Sequence, residues 1–135
     1  LLDWLFGEIK EARGLSANLG GLYEVEDSVV AHFKFDTGLL GSGSWSFVAP
    51  ENTRTDLIEV VGTKGKLTFS TFNFSPIRLE TATGIEEFKE ENPENIQYLL
   101  IESIVNYLNK QGDVPVSTAL SASKTNRIMD LILMI

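Results

Sequence analysis

At 135 residues the chain has room for one domain and one core, and 43% hydrophobic with 22% charged residues is a globular rather than a disordered balance. Nineteen acidic against eleven basic side chains give a net charge of −8, the wrong sign for a large nucleic-acid footprint or for docking on an anionic membrane. The absence of cysteine excludes disulfides and cysteine-based zinc sites and suits a cytoplasmic protein, and no apolar run reaches the ~18 residues of a membrane span.

Both ends are apolar: Leu1-Leu2-Asp3-Trp4-Leu5-Phe6 opens the chain and Leu131-Ile132-Leu133-Met134-Ile135 closes it. Chain termini are ordinarily polar and frayed, so the pattern predicts a chain cut from a longer polypeptide inside structured elements. No basic leader or small-residue cleavage site precedes Gly7, so a signal peptide is not expected.

Residues 1–6 read as the last turns of a helix stopped by Gly7, and residues 11–19 as a first strand ending at the turn Gly20-Gly21. From Val25 the alternation is clear: Val25, Val29, Ala31, Phe33 and Phe35 share one parity, and Glu26, Ser28, His32 and Lys34 the other. Period two predicts a half-buried strand. Asp27 interrupts its apolar face and Val30 its polar one. Asp36-Thr37-Gly38 is a hairpin turn leading into a strand over Leu39–Val48. Gly41 and Gly43 fall on one face of that strand, together with Trp45 and Phe47. Glycines so placed admit something bulky against the backbone, either an aromatic neighbour in the core or a ligand or partner.

A loop over Ala49–Thr53 precedes a strand at Thr55–Val61. The turn Gly62-Thr63-Lys64-Gly65 leads into Lys66–Phe72, and a more polar hairpin joins Pro76–Thr81 to Ile85–Lys89. Asn92-Pro93-Glu94 has the cap, first-turn proline and acid of a helix start. Ile96, Leu99, Leu100, Ile104, Val105 and Leu108 then recur at helical spacing up to Gly112. Ser117 or Thr118 caps a second helix through Ile132. Strands first and helices last predict an α+β fold: an open, mainly antiparallel sheet of six or more strands with helices packed on one face.

The residues give no catalytic constellation. His32 is the only histidine and sits mid-strand on the polar face, so a serine-histidine-aspartate arrangement and hence a standalone hydrolase are poorly supported. No spacing supports a metal site. The segment 62–66 has a leucine after its lysine where a phosphate loop needs a hydroxyl residue, and a strand follows it instead of a helix. Gly38, Gly41 and Gly43 lie within a hairpin, not between a parallel strand and a helix, so they are no dinucleotide fingerprint. Glu86, Glu87, Glu90, Glu91 and Glu94 read as a solvated acidic face.

Taken in order, several segments carry a resemblance. They are residues 1–7, Val25-Glu26-Asp27-Ser28 leading to Phe35-Asp36-Thr37-Gly38, Ile58-Glu59-Val60-Val61-Gly62-Thr63-Lys64-Gly65, and the helix pair from Asn95 to Leu131. Across its length the chain resembles the C-terminal domain of the Gfo/Idh/MocA oxidoreductases, the family of glucose-fructose oxidoreductase and inositol dehydrogenase. The resemblance implies that residues 1–135 are a single substrate and oligomerisation domain, with an N-terminal Rossmann domain binding NAD or NADP in the intact parent. It implies hydride transfer at a sugar or polyol carbon. In the family a lysine from the N-terminal half and a histidine three positions before an aspartate commonly assist. Asp3 matches that aspartate, which puts the histidine just before Leu1. No catalytic or cofactor-binding residue is then expected in this chain, and the fragment alone should be inactive and bind no dinucleotide.

A polyhydroxylated substrate needs polar groups for its hydroxyls and an aromatic for its C–H face. With Asp3, the residues Trp45, Asn52, Arg54 and Asp56 supply those types and are the substrate-side candidates. The implied partners are the chain's own Rossmann domain, a second copy through the sheet face, and a small carbohydrate-like substrate. The alternative is a catalytically inert dimerisation or ligand-binding module of the same fold.

Overall fold

The computed structural model describes residues 1–134. Three helices and seven strands follow one another as α1 (Leu2–Phe6), β1 (Ile9–Ala17), β2 (Ser28–Phe35), β3 (Leu40–Ser46), β4 (Ile58–Gly62), β5 (Gly65–Phe69), β6 (Ile77–Thr81), β7 (Gly84–Phe88), α2 (Tyr98–Leu108) and α3 (Ala119–Leu133). The fold is α+β, but its strands make two antiparallel sheets, ordered β1-β2-β3 and β4-β5-β6-β7, where the sequence pattern predicts one. The break falls between β3 and β4, where Pro50 has no amide to donate and Glu51–Thr53 wind into a 3-10 turn. The sheets belong to two compact units, residues 1–50 with 116–134, and Glu51–Pro115. The first unit is thus discontinuous in sequence.

In the first unit, the β2 alternation buries Ala31, Phe33 and Phe35 on one face. Opposite them β1 contributes Ala12 and Gly14 in register, and Ile9 reaches the same face because the pairing shifts at Lys10. That bulge reverses the parity of the strand, which is how Ile9 and Ala12 both point inward. Helix α3 covers this face and adds Ile132 to the core, with Ile128, Leu2, Phe6 and Val29 packed around it. It can lie close because residue 14 is glycine: a Cβ there would stand 2.6 Å from Ile132 Cγ2 and 2.8 Å from the Val30 carbonyl oxygen. Thr118 and Ser121 close a reciprocal capping box at the start of α3, as expected of Thr118.

In the second unit the paired strands put Ile58, Val60, Leu67, Phe69 and Leu79 on one face. The other face holds a ladder of charges. Lys66 Nζ lies 3.0 Å from Glu59 and 3.6 Å from Glu80, and Arg78 lies 3.6 Å from Glu80.

Three boundaries differ from expectation. Strand β5 stops at Phe69 and not at Phe72, because the Asp56 carboxylate takes the amides of Thr71, Phe72 and Asn73. Phe72 and Phe74 therefore sit on a loop. Helix α2 begins at Tyr98, not after Asn92: the Asn95 side chain accepts from Gln97 N and its carbonyl from Tyr98 N, so the turn-forming asparagine is 95. It ends at Leu108, and the left-handed residue that follows is Lys110, φ 59°, while Gly112 lies beyond. None of its residues is buried. Among the described residues no helix is long and apolar enough to cross a membrane.

Candidate functional site

The described residues contain one buried polar side chain, Asp27. It is the residue that breaks the apolar face of β2 in the sequence. Its Oδ1 accepts from Leu19 N at 2.9 Å and from Ser28 Oγ at 2.9 Å, and its Oδ2 from Gly20 N at 2.7 Å. These bonds, led by that from Leu19, hold the carboxyl below the ordinary aspartate range against the opposing effect of burial. The Asp27 main chain bonds Ala17 and Phe47, so one residue ties the β1–β2 loop to the end of β3. The packing at Gly20 is tight: a Cβ would stand 2.5 Å from Val48 Cγ1 and 3.1 Å from Asp27 Oδ2, so those side chains would have to shift to admit one. The loop so pinned leaves Leu19, Leu22 and Val25 exposed.

Beside this latch lies a cleft of about 500 Å³ on the helix-covered face of the first unit. Its apolar floor comes from Val29, Phe33, Trp45 and Phe47 of the sheet and from Ile128 and Ile132 of α3. Charged groups stand at its edge: Asp3 of α1, Glu8, Glu26, and Lys124 and Arg127 of α3. Arg127 lies 4.0 Å from Glu8. The Glu8 carboxyl is held below its usual value first by a hydrogen bond and charge from Lys10, with smaller contributions from Lys124 and Arg127.

What approaches the backbone of β3 at its glycines is Trp45 itself. Its ring lies over Gly43, where a Cβ would be 2.5 Å from Cη2, and meets the Phe33 ring edge-on at 6.3 Å between centroids. A Cβ at Gly41 would meet Phe35 and Phe33 at ordinary contact distances of 3.4 and 3.7 Å. Trp45 as a whole is still 41% exposed.

The structure therefore brings two of the five candidates, Asp3 and Trp45, to one cleft. Asn52, Arg54 and Asp56 belong to the second unit. Asn52 sits in the 3-10 turn, which Arg54 N closes by donating to Glu51 O at 3.1 Å. Asp56 Oδ2 accepts three backbone amides, and these, led by that of Phe72, lower its carboxyl below the usual range with help from the charge of Arg54. His32 is exposed on the outer face of the first sheet, in register with Arg13 and Ser42.

Sequence reasoning did not single out Glu8, Lys124 or Arg127. The signal for the last two was available: they precede Ile128 by four and by one positions, on the flank of the stripe by which α3 packs. Glu8 carries no such signal.

A family model described as the GFO/IDH/MocA C-terminal domain matches residues 1–68, half of the chain. An oxidoreductase of Formosa agariphila is 32% identical over 131 residues, which is 97% of this chain and 39% of that protein. The chain thus spans about two fifths of that relative's length. Among solved structures, the WlbA dehydrogenase of Bordetella pertussis, in complex with NADH and UDP-GlcNAcA, matches with a TM-score of 0.73 and 22% identity over 99% of this chain and 38% of that one. A levoglucosan dehydrogenase in complex with NADH and levoglucosan matches with a TM-score of 0.75 and 16% identity, over 98% and 45%. An Agrobacterium radiobacter oxidoreductase in complex with NAD+, L-tartaric acid and magnesium matches with a TM-score of 0.79 and 14% identity, over 98% and 42%. At these identities the solved structures establish a shared fold. With the matched family model and the curated relative, they make this chain a member of the GFO/IDH/MocA oxidoreductase family, its C-terminal domain.

Proposed function

We propose that the chain is the substrate-side and dimerising domain of an NAD- or NADP-dependent cytoplasmic oxidoreductase acting on a sugar, polyol or related carbohydrate. The observation that carries this reading is the cleft of the first unit, an apolar floor with an indole platform under an edge of carboxylates and cations. A pyranose or polyol presents that pair of surfaces, C–H faces for the aromatic ring and hydroxyls for the charged edge. Two proteins of the same fold are described in complex with a nicotinamide cofactor and a carbohydrate.

On this reading Asp3 and Trp45 contact substrate in the cleft of the first unit. The residues described here do not fit a dinucleotide. Its pyrophosphate calls for a helix N-terminus fed by a parallel strand, whereas every strand pair here is antiparallel and the glycine turns at 62–65 and 81–84 join hairpins. NAD or NADP is assigned to the remainder of the polypeptide, a Rossmann domain preceding this one. A second copy is assigned to the outer face of the sheet, where Leu15, Val30 and Leu40 stand exposed.

The test is to incubate the full-length polypeptide with NAD+ or NADP+ and a panel of sugars and polyols, following formation of the reduced nicotinamide. Oxidation of at least one of them, weakened by Trp45→Ala, is the expected result. Dinucleotide binding without turnover of any carbohydrate would refute the enzyme reading in favour of an inert module. Sedimentation of the same polypeptide as a clean monomer at high concentration would refute the dimer.

A further inference from the structure

We infer that Gly43 is a positioning residue for substrate recognition: by lacking a Cβ it seats Trp45 flat on its own strand as the floor of the cleft. The inference rests on the carbohydrate reading above and deepens it, because it names the feature that makes the platform possible. Residues 43 and 45 are two apart on β3, so their side chains project from the same face. Between neighbours so spaced, a large ring lies along the strand only if the other position is empty. Three atoms of the indole six-membered ring would stand 2.5, 3.0 and 3.1 Å from a Cβ at residue 43. All three belong to the far end of a side chain, so an added methyl group displaces the ring and leaves the backbone in place. Phe33 meets the indole edge-on and fixes it from the neighbouring strand.

Gly41, also on this face, supplies the contrast. A Cβ there would meet Phe35 at 3.4 Å and Phe33 at 3.7 Å, ordinary contacts that need no movement. Two glycines on one strand therefore have different meanings. Residue 41 tolerates a side chain, and residue 43 holds the seat of an aromatic.

The chain contains two tryptophans, and only Trp45 lines the cleft, while Trp4 is 71% exposed and outside it. Their indole N–H resonances, assigned with Trp4→Phe, report the cleft and an internal control. The probe is phenyl β-D-glucopyranoside, which carries one aromatic and one hydroxylated ring, titrated into the chain and its variants with affinity read by ligand-observed NMR. In the unsubstituted chain the Trp45 resonance should shift saturably and that of Trp4 should not. Gly43→Ala should move the Trp45 resonance without ligand and weaken binding roughly tenfold, the scale of a lost aromatic contact. Gly41→Ala should leave both unchanged. Trp45→Leu should weaken binding as much as Gly43→Ala, and adding Gly43→Ala to Trp45→Leu should cost nothing more.

A glucoside response whose affinity Gly43→Ala leaves unaltered, or lowers equally with and without Trp45, overturns the inference and leaves the carbohydrate reading standing. No glucoside response at all, with the Trp45 resonance displaced by Gly43→Ala, overturns both.

Discussion

Adding one methyl group at Gly14 tests how α3 is held on the sheet. The new Cβ would face three atoms: Ile132 Cγ2 at 2.6 Å, which moves only with the side chain's χ1, the Val30 carbonyl oxygen at 2.8 Å, which is fixed in the strand pairing, and the Ile132 carbonyl oxygen at 3.3 Å in α3. Overpacking of this kind costs about 2 kcal/mol. For a domain of this size that lowers Tm by about 6–10 °C, measured by circular dichroism. The side-chain and backbone clashes can be separated. Ile132→Ala alone empties a buried position and costs about 3 kcal/mol. In the double variant the side-chain clash is gone and only the two backbone carbonyl contacts remain, so the combined loss should fall short of the sum of the singles by about 1 kcal/mol. A Gly14→Ala chain melting within about 2 °C of the original, or strictly additive effects, would refute close helix-on-strand packing as the reason for this glycine.

Phe35 is 3% exposed and meets Phe6 edge-on at 5.8 Å between ring centroids, so Phe35→Ala should cost about 3–5 kcal/mol in denaturant unfolding; a loss under about 1 kcal/mol would mean that α1 is not anchored there. The carboxyl of Asp27 titrates below its unfolded-state value, so its stabilisation is complete above the ordinary aspartate pKa and disappears as pH falls through the lower folded-state value. Asp27→Asn should flatten that acid limb of Tm against pH, and an unchanged slope would show that other carboxylates produce it. Asp56→Ala frees three amides, so hydrogen exchange at Thr71, Phe72 and Asn73 should accelerate together while β4 and β5 stay protected, and unaltered exchange would show that the loop holds itself.

The strands with clean alternation were legible. Period two over 29–35 located β2 and its buried face, and the glycine turns at 36–38 and 62–65 located their hairpins. Strand ends were less so, because they are set by side chains far along the chain that compete for the same amides. Asp56 ends β5 from thirteen residues before Phe69 in sequence, and nothing local to residues 70–72 announces it. The bulge at Lys10 was hidden for a related reason, since its effect on parity is visible only once a partner strand is present. Of the cleft, Trp45 and Asp3 could be named because an aromatic beside strand glycines and an aspartate in a family pattern are local features. Glu8, Lys124 and Arg127 reach the same cavity only through the docking of α3 across β1. Asp27 was visible as an anomaly, a charge on an apolar face, but its task of pinning a loop follows from three-dimensional bonding alone.

The first unit is completed by α3, far along the chain from β1–β3, and that bears on how the chain is made. Ile132 settles over Gly14 across about 120 intervening residues, with all of Glu51–Pro115 synthesised in between. On the ribosome β1, β2 and β3 can pair early, yet Ala31 and Phe33 lack their helical roof until α3 leaves the exit tunnel. The β4–β7 sheet, assembled from sequential hairpins, needs no such wait. A nascent chain halted before Ala119 should therefore present a sticky sheet to chaperones although the second unit has already settled, and emergence of Ala119–Leu133 should end that recruitment.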